Sequence, residues 1–102
     1  MSIYIYFMIK ASDLVKEQHD KDKRKLDTYN KIYIKVEQKI KSVSSSNNYF
    51  TLYEVPQLIL GIPLYDITET CLYISKKLKK NGFNVEYYKP NKLLIIWLPS
   101  KN

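Results

Sequence analysis

Between Tyr49 and Pro99 the chain reads YFTLYEVPQLILGIPLYDITETCLYISKKLKKNGFNVEYYKPNKLLIIWLP, and its punctuation leaves few folds open. Tyr49–Val55 is rich in aromatic and β-branched residues and reads as a strand. It stops at Pro56, which has no amide hydrogen to give to a ladder. Gly61 takes a backbone geometry denied to other residues and Pro63 fixes the turn after it, so VPQLILGIP is a compact apolar bend. Asp66 then offers an N-cap oxygen, with Glu69 three residues on completing a capping box. Ile67, Cys71, Ile74 and Leu78 follow on one helical stripe. Asn81-Gly82 closes that helix, and Phe83 is placed for the hydrophobic contact that accompanies a glycine cap. FNVEYY and LLIIWL flank KPNK, which predicts an antiparallel hairpin turning at Pro90-Asn91. Phe83, Val85 and Tyr87 alternate with Asn84, Glu86 and Tyr88, so the first hairpin strand has one wet face. LLIIWL is apolar on both faces, so the sheet needs cover on two sides.

The N-terminal half is plainer. Residues 3–9 (IYIYFMI) are apolar on both faces, as in a buried strand, but Met8 is itself a plausible start. Residues 1–10 are therefore an N-terminal extension or an edge strand, ahead of a single α+β domain over 11–102. Ser12 or Asp13 can N-cap a helix whose first part, through Arg24, is charged enough to lie on the surface or fray. Leu26, Tyr29, Tyr33, Val36, Ile40 and Val43 then form one stripe, widened by Ile32 and Ile34. SSSNN (44–48) stops the helix. The stripe packs on the hairpin-bearing half or pairs with a second copy. The fold class is thus α+β: a long N-terminal helix, a strand, a second helix and a C-terminal β-hairpin. Two arrangements fit. One lays two helices on one face of a small sheet, which we favour; the other is winged-helix-like, with the hairpin as the wing.

Chemistry finds little purchase. His19, the one histidine, sits in EQHDKDK with no orienting partner and reads as a solvated surface group. Cys71, the only cysteine, lies on an apolar stripe and behaves as a small hydrophobe, which fits a reducing compartment. Both glycines are used in turns, leaving none for a phosphate loop, and Asp66 and Glu69 are explained by capping. No catalytic residue, metal site or cofactor is expected. The opening SIYIYFMI is too short to span a membrane, and no membrane partner is expected.

Binding is the remaining class. The net charge is +7, and residues 76–102 carry seven lysines against the single acid Glu86. Lys76, Lys77 and Lys80, extended by Lys89 and Lys92 at the hairpin tip, are the candidate polyanion surface. Cations at a helix C-terminus also complement its dipole, and Asp66 and Glu69 would repel phosphate from the other end. Any DNA or RNA binding is therefore expected at the backbone, without sequence preference. Ten tyrosines place amphipathic rings at the core edge or on a binding surface, part of the excess reflecting an AT-rich genome. Tyr87, Tyr88 and Trp97 are the candidate protein-interface anchors.

ASDLVKE, the basic YNKIYIKVEQKIK helix, VP-x5-G-x-PLYD and NGF-x-VEYY-x-PN-x-L-x-I-x-W together resemble a set of small uncharacterised proteins encoded by nucleocytoplasmic large DNA viruses, the giant viruses of amoebae and algae. The resemblance runs from Met8 through nearly the whole chain; residues before Met8 depart from it. It carries over no catalytic or ligand-binding residue. It implies a viral product made in host cytoplasm or a virus factory, with the virion as one destination. The expectation is a non-enzymatic viral macromolecule-binding protein, either an interaction or minor virion component or a nucleic-acid binder. An antagonist of a host factor is a third class. The partner is a viral or host protein, or a second copy through the Leu26–Val43 stripe.

Overall fold

A computed structural model describes residues 10–99; the expected strand over residues 3–9 lies outside them. Helix α1 (Ala11–Ser44) leads through a short turn to strand β1 (Phe50–Glu54). An irregular bend follows, then α2 (Ile67–Lys80) and the hairpin strands β2 (Asn84–Tyr88) and β3 (Lys92–Ile96). The sheet is antiparallel in the order β1-β3-β2, so the last strand is the central one. Thr51 pairs with Ile95 and Tyr53 with Leu93, while on the other side Val85 pairs with Ile95 and Tyr87 with Leu93. The fold is the expected α+β arrangement.

The pleat sends Thr51, Tyr53, Val85, Tyr87, Leu93 and Ile95 to one face, where Leu93 and Ile95 are fully buried. Both helices lie on that face. Ile32, Tyr33, Val36 and Ile40 of α1 join Cys71, Ile74 and Leu78 of α2 and Val55 in one core with the strands. The long helix therefore covers the same side as α2. The opposite face keeps Phe50 and Leu52 more than half exposed.

The buried line on α1 differs from the expected stripe. It runs along Thr28, Ile32, Val36 and Ile40, one ridge at a spacing of four, with Tyr33 beside it. Leu26 and Ile34 are exposed, and Val43 is only half-buried. The helix is judged by its neighbours: the ridge that meets the sheet and α2 is buried, whichever other apolar residues lie nearby. The helix also starts at Ala11, with Lys10 as N-cap and no side-chain cap, rather than with Ser12 or Asp13 as the cap. At 1.5 Å per residue α1 is about 51 Å long. Its charged first half is exposed throughout.

Both ends of α2 follow the sequence closely. The Asp66 carboxylate accepts a 2.8 Å bond from the Glu69 amide. The reciprocal half of the capping box is absent, because the Glu69 side chain turns to α1 instead. At the other end Gly82 takes φ +93°, the Phe83 amide donates to Leu78 O (3.0 Å) and the Gly82 amide to Lys79 O (3.1 Å). That is the complete Schellman pair, with Phe83 folded onto the core above Leu78. Lys89-Pro90 at the hairpin turn is cis.

A Cβ at Gly82 would touch nothing within 4 Å, so its positive φ alone opposes substitution. Gly82→Ala should lower stability by about 1–2 kcal/mol in urea unfolding. Leu93→Ala, which empties the centre of the core, should cost about 2–5 kcal/mol.

Candidate functional site

The five lysines expected to act together are dispersed by the fold. Lys77 points inward from α2: its Nζ donates to Asn30 Oδ1 (3.0 Å) and sits 4.5 Å from the centroid of the Tyr33 ring and 5.7 Å from that of Tyr73. It joins the helices rather than serving as a free cation. Lys76 and Lys80 are exposed one turn apart at the C-terminal end of α2, and the chain then turns directly into β2. Lys89 and Lys92 are exposed at the far end of that strand, about 16 Å away at 3.3 Å per residue. Two small basic ends, not one patch, are the result.

The aromatic anchors are likewise redistributed. Tyr87 lies on the core face of the sheet and donates to Pro90 O (2.8 Å). Trp97 packs edge-on against Phe83 with centroids 6.2 Å apart, and its indole nitrogen is buried. Tyr88 alone of the three is well exposed, with its hydroxyl on the Glu86 carboxylate. Tyr87 and Trp97 are both partly buried against the core, because the alternation that exposes Tyr88 turns Tyr87 inward. Trp97, one residue past β3, is held by a hydrogen bond from its backbone amide to Tyr49 O (2.9 Å).

Sequence reasoning missed a polar seam between the helices. Residues 69, 73, 77 and 81 of the second helical segment, at a spacing of four, meet 25, 29, 30 and 33 of α1 in the same direction. Tyr29 donates to Glu69 (2.8 Å), Lys25 approaches the same carboxylate at 3.8 Å, and Tyr73 donates to Asn30 Oδ1 (2.7 Å). The Tyr29 and Tyr73 rings meet at 5.2 Å, and Asn81 Nδ2 reaches the Tyr33 hydroxyl at 3.3 Å. The Glu69-Tyr73-Lys77-Asn81 ladder was visible in the sequence, but nothing local said what it faced.

Burial, followed by the hydrogen bond and negative charge of Glu69, pushes the Tyr29 phenol up to about 12. Burial also raises the Cys71 thiol, partly offset by a bond with Tyr87. Cys71 is thus an inert core group, remote in the sequence from His19, which is exposed on the projecting half of α1. Among the described residues no group of three or more His, Cys, Asp or Glu could hold a metal. No helix among them is long and apolar enough to cross a membrane. Lys21, Arg24, Lys25 and Lys31 line an open groove between α1 and the 63–69 segment, but Asp66 and Glu69 line it too.

The exposed apolar groups lie elsewhere. In the bend, Leu60 is 92% and Leu64 84% exposed, with Leu58 at 60%. Gly61 (φ +85°) and the Ile62 amide to Ile59 O (3.1 Å) form the turn that carries them. Val55, the bond from the Tyr65 hydroxyl to Pro56 O, and Ile59 and Ile62 packed on the core tie the loop down. No charged residue occurs between Glu54 and Asp66. This loop was read in sequence only as a bend; its run of leucines at a turn is the signal that could have marked it.

The raised Tyr29 pKa has a consequence for alkaline stability. The phenol is bound in its neutral form, so its contribution is complete below its unfolded value near 10. It is lost as pH rises from there through about 12. Glu69→Gln should bring the Tyr29 titration back toward 10, as followed by NMR of ring-labelled tyrosine.

The comparisons with known proteins agree on lineage. Over 99 residues the chain is 28% identical to "Uncharacterized protein R447" of Acanthamoeba polyphaga mimivirus, covering 93% of this chain and 80% of the viral protein. No solved structure matches. The giant-virus resemblance expected from the motifs is thereby borne out. A family model matches residues 9–79, from the start of α1 to the last turn of α2, and the chain belongs to that family, the family of unknown function DUF5759.

Proposed function

We propose that this chain is a non-enzymatic viral interaction protein that docks onto another protein through the leucine loop over residues 58–64. The observation that carries it is the exposure of Leu60 and Leu64 on a loop whose base is anchored in the core. A single exposed leucine is ordinary, but Leu58, Leu60 and Leu64 are presented together on one anchored turn, and grouped apolar exposure is what marks a protein-contact surface. A rigid loop also loses little entropy on docking, so its few aliphatic groups act as preformed anchors. The relationship to a mimivirus protein supports a setting in infected cells, in the cytoplasm, the virus factory or the virion.

A photo-reactive residue at position 60, introduced during infection, should give discrete protein adducts that the same residue at Lys16, on the free half of α1, does not. Equal labelling from both positions, or none from position 60, overturns the reading. Leu60→Asp should abolish the adduct partner's binding while changing stability by less than about 0.5 kcal/mol, since the side chain packs on nothing.

A second reading, winged-helix-like binding to nucleic acid, is supported by one observation: the strand order β1-β3-β2, with the hairpin following α2, is compatible with a wing. The outer side of α2 carries Thr68, Leu72 and Lys76, and Lys89 and Lys92 stand at the wing tip. Lys77 is not part of that surface. Under this reading, replacing Lys76, Lys80, Lys89 and Lys92 by alanine should lower the slope of log affinity against log salt by about 3.6 on duplex DNA. Elution from duplex DNA at low salt, unchanged by those substitutions, dismisses it.

A further inference from the structure

The outer face of the sheet forms a grid of three strands and three rows. From the paired registers, the first row is Phe50, Ile96 and Asn84, the second Leu52, Leu94 and Glu86, and the third Glu54, Lys92 and Tyr88. The two columns contributed by β1 and β3 therefore hold four apolar residues, then an acid beside a base. The β2 column is polar. Phe50 and Leu52 are 59% and 53% exposed, and Leu94 and Ile96 stay partly exposed although their strand is the central one. The apolar column continues past the strand into Leu98, 71% exposed. Glu54 and Lys92 are cross-strand neighbours, yet among the described residues neither takes part in an ion pair.

We propose that this face is a homodimer interface, in which β1 and β3 of one chain pack on β3 and β1 of a second copy. The two-fold axis runs along the mean strand direction of the pair, about 15° from the strands of each sheet, over the line between β1 and β3. The argument is that the pattern is its own complement under that rotation. The operation exchanges the two columns within each row, which sets Phe50 against the partner's Ile96, Leu52 against the partner's Leu94, and Glu54 against the partner's Lys92. Every apolar residue of the three rows meets an apolar one, and the only charges in the two columns meet their opposites, twice. An isologous contact requires such self-complementarity, whereas an unrelated partner has no reason to impose it. Strands of two aligned sheets cross at about 30°, about 10 Å apart, so the middle row is the centre of the contact and the charged row its rim. The polar β2 column falls outside, at the edge. The face is small, and association is expected to be weak and concentration-dependent. The surface is distinct from the leucine loop and from the buried α1 ridge, and it stands whether or not the loop docks as proposed above.

The test is the mass of the full chain in solution, by sedimentation or light scattering, from micromolar to near-millimolar concentration. The expected mass rises from 12.2 kDa toward twice that value. Leu52→Lys should keep the chain monomeric throughout, with an unchanged circular dichroism spectrum. Leu98→Lys, which lies beyond the strands and cannot disturb their ladder, should weaken association at least tenfold. Glu54→Lys should weaken it by placing like charges opposite each other, and the double exchange E54K/K92E should restore it. A chain that stays at 12.2 kDa at every concentration overturns the proposal, as does a folded Leu52→Lys or Leu98→Lys variant that dimerises like the parent. A double exchange that associates no better than Glu54→Lys overturns the two-fold pairing.

Discussion

The structure depends on the burial of one side of β3. Leu93 and Ile95 are wholly removed from water beneath two helices, and both neighbouring strands take their register from them. Two such side chains contribute several kcal/mol, a large share of what holds a chain of this size folded. Because β3 is central, every other element is placed relative to it. Its alternate residues, Leu94 and Ile96, are turned by the same pleat to the side that neither helix reaches. That neither helix covers this apolar face is thus a direct consequence of how the core is built.

The helices share one hydrophobic core and are joined as well by a line of tyrosine hydroxyls, amides and one ammonium between them. Asn30 Oδ1 accepts from both Tyr73 and Lys77, and Glu69 accepts from Tyr29. Tyrosine suits such a seam, since the ring supplies apolar area and the hydroxyl satisfies a polar neighbour at its margin. Tyr65, Tyr73 and Tyr87 pack at the edge of the core and Tyr33 within it, each with its hydroxyl on a polar neighbour, while Tyr53 packs there through its ring. Much of the tyrosine content is therefore structural, and the basic charge divides similarly. Lys77 lies over aromatic rings, while Lys76, Lys80, Lys89 and Lys92 face solvent at two separate ends.

Particular residues show how far local reasoning reached. Asp66 capped a helix and Gly82 ended one, because those signals depend on the backbone within one turn. The hairpin formed where KPNK interrupts two β-rich runs. Of Tyr87, Tyr88 and Trp97, read together as anchors, only Tyr88 is well exposed, and the other two are partly buried against the core. Alternation says which residues share a face, but not which face the helices cover. Lys77 was grouped with Lys76 and Lys80 by proximity along the chain. Its partners, Asn30 and Tyr33, are more than forty residues away and left no mark near it. On α1 the expected stripe holds at Tyr33, Val36 and Ile40, with Ile32 beside them, but Leu26 and Ile34 stay exposed and Thr28 is buried instead.

The amino-acid order alone determined the elements, their caps and their turns, since these are set by hydrogen bonds and dihedral preferences spanning a few residues. It determined that the chain is α+β, and the pleat divided each strand into two sets of side chains. Only the tertiary structure decided that β3 lies between β1 and β2, and that both helices occupy one side. Only it decided which lysines and tyrosines are bound within the molecule and which remain free. Those outcomes rest on long-range burial, where several partners compete for the same apolar surface and the arrangement that removes most of it from water prevails.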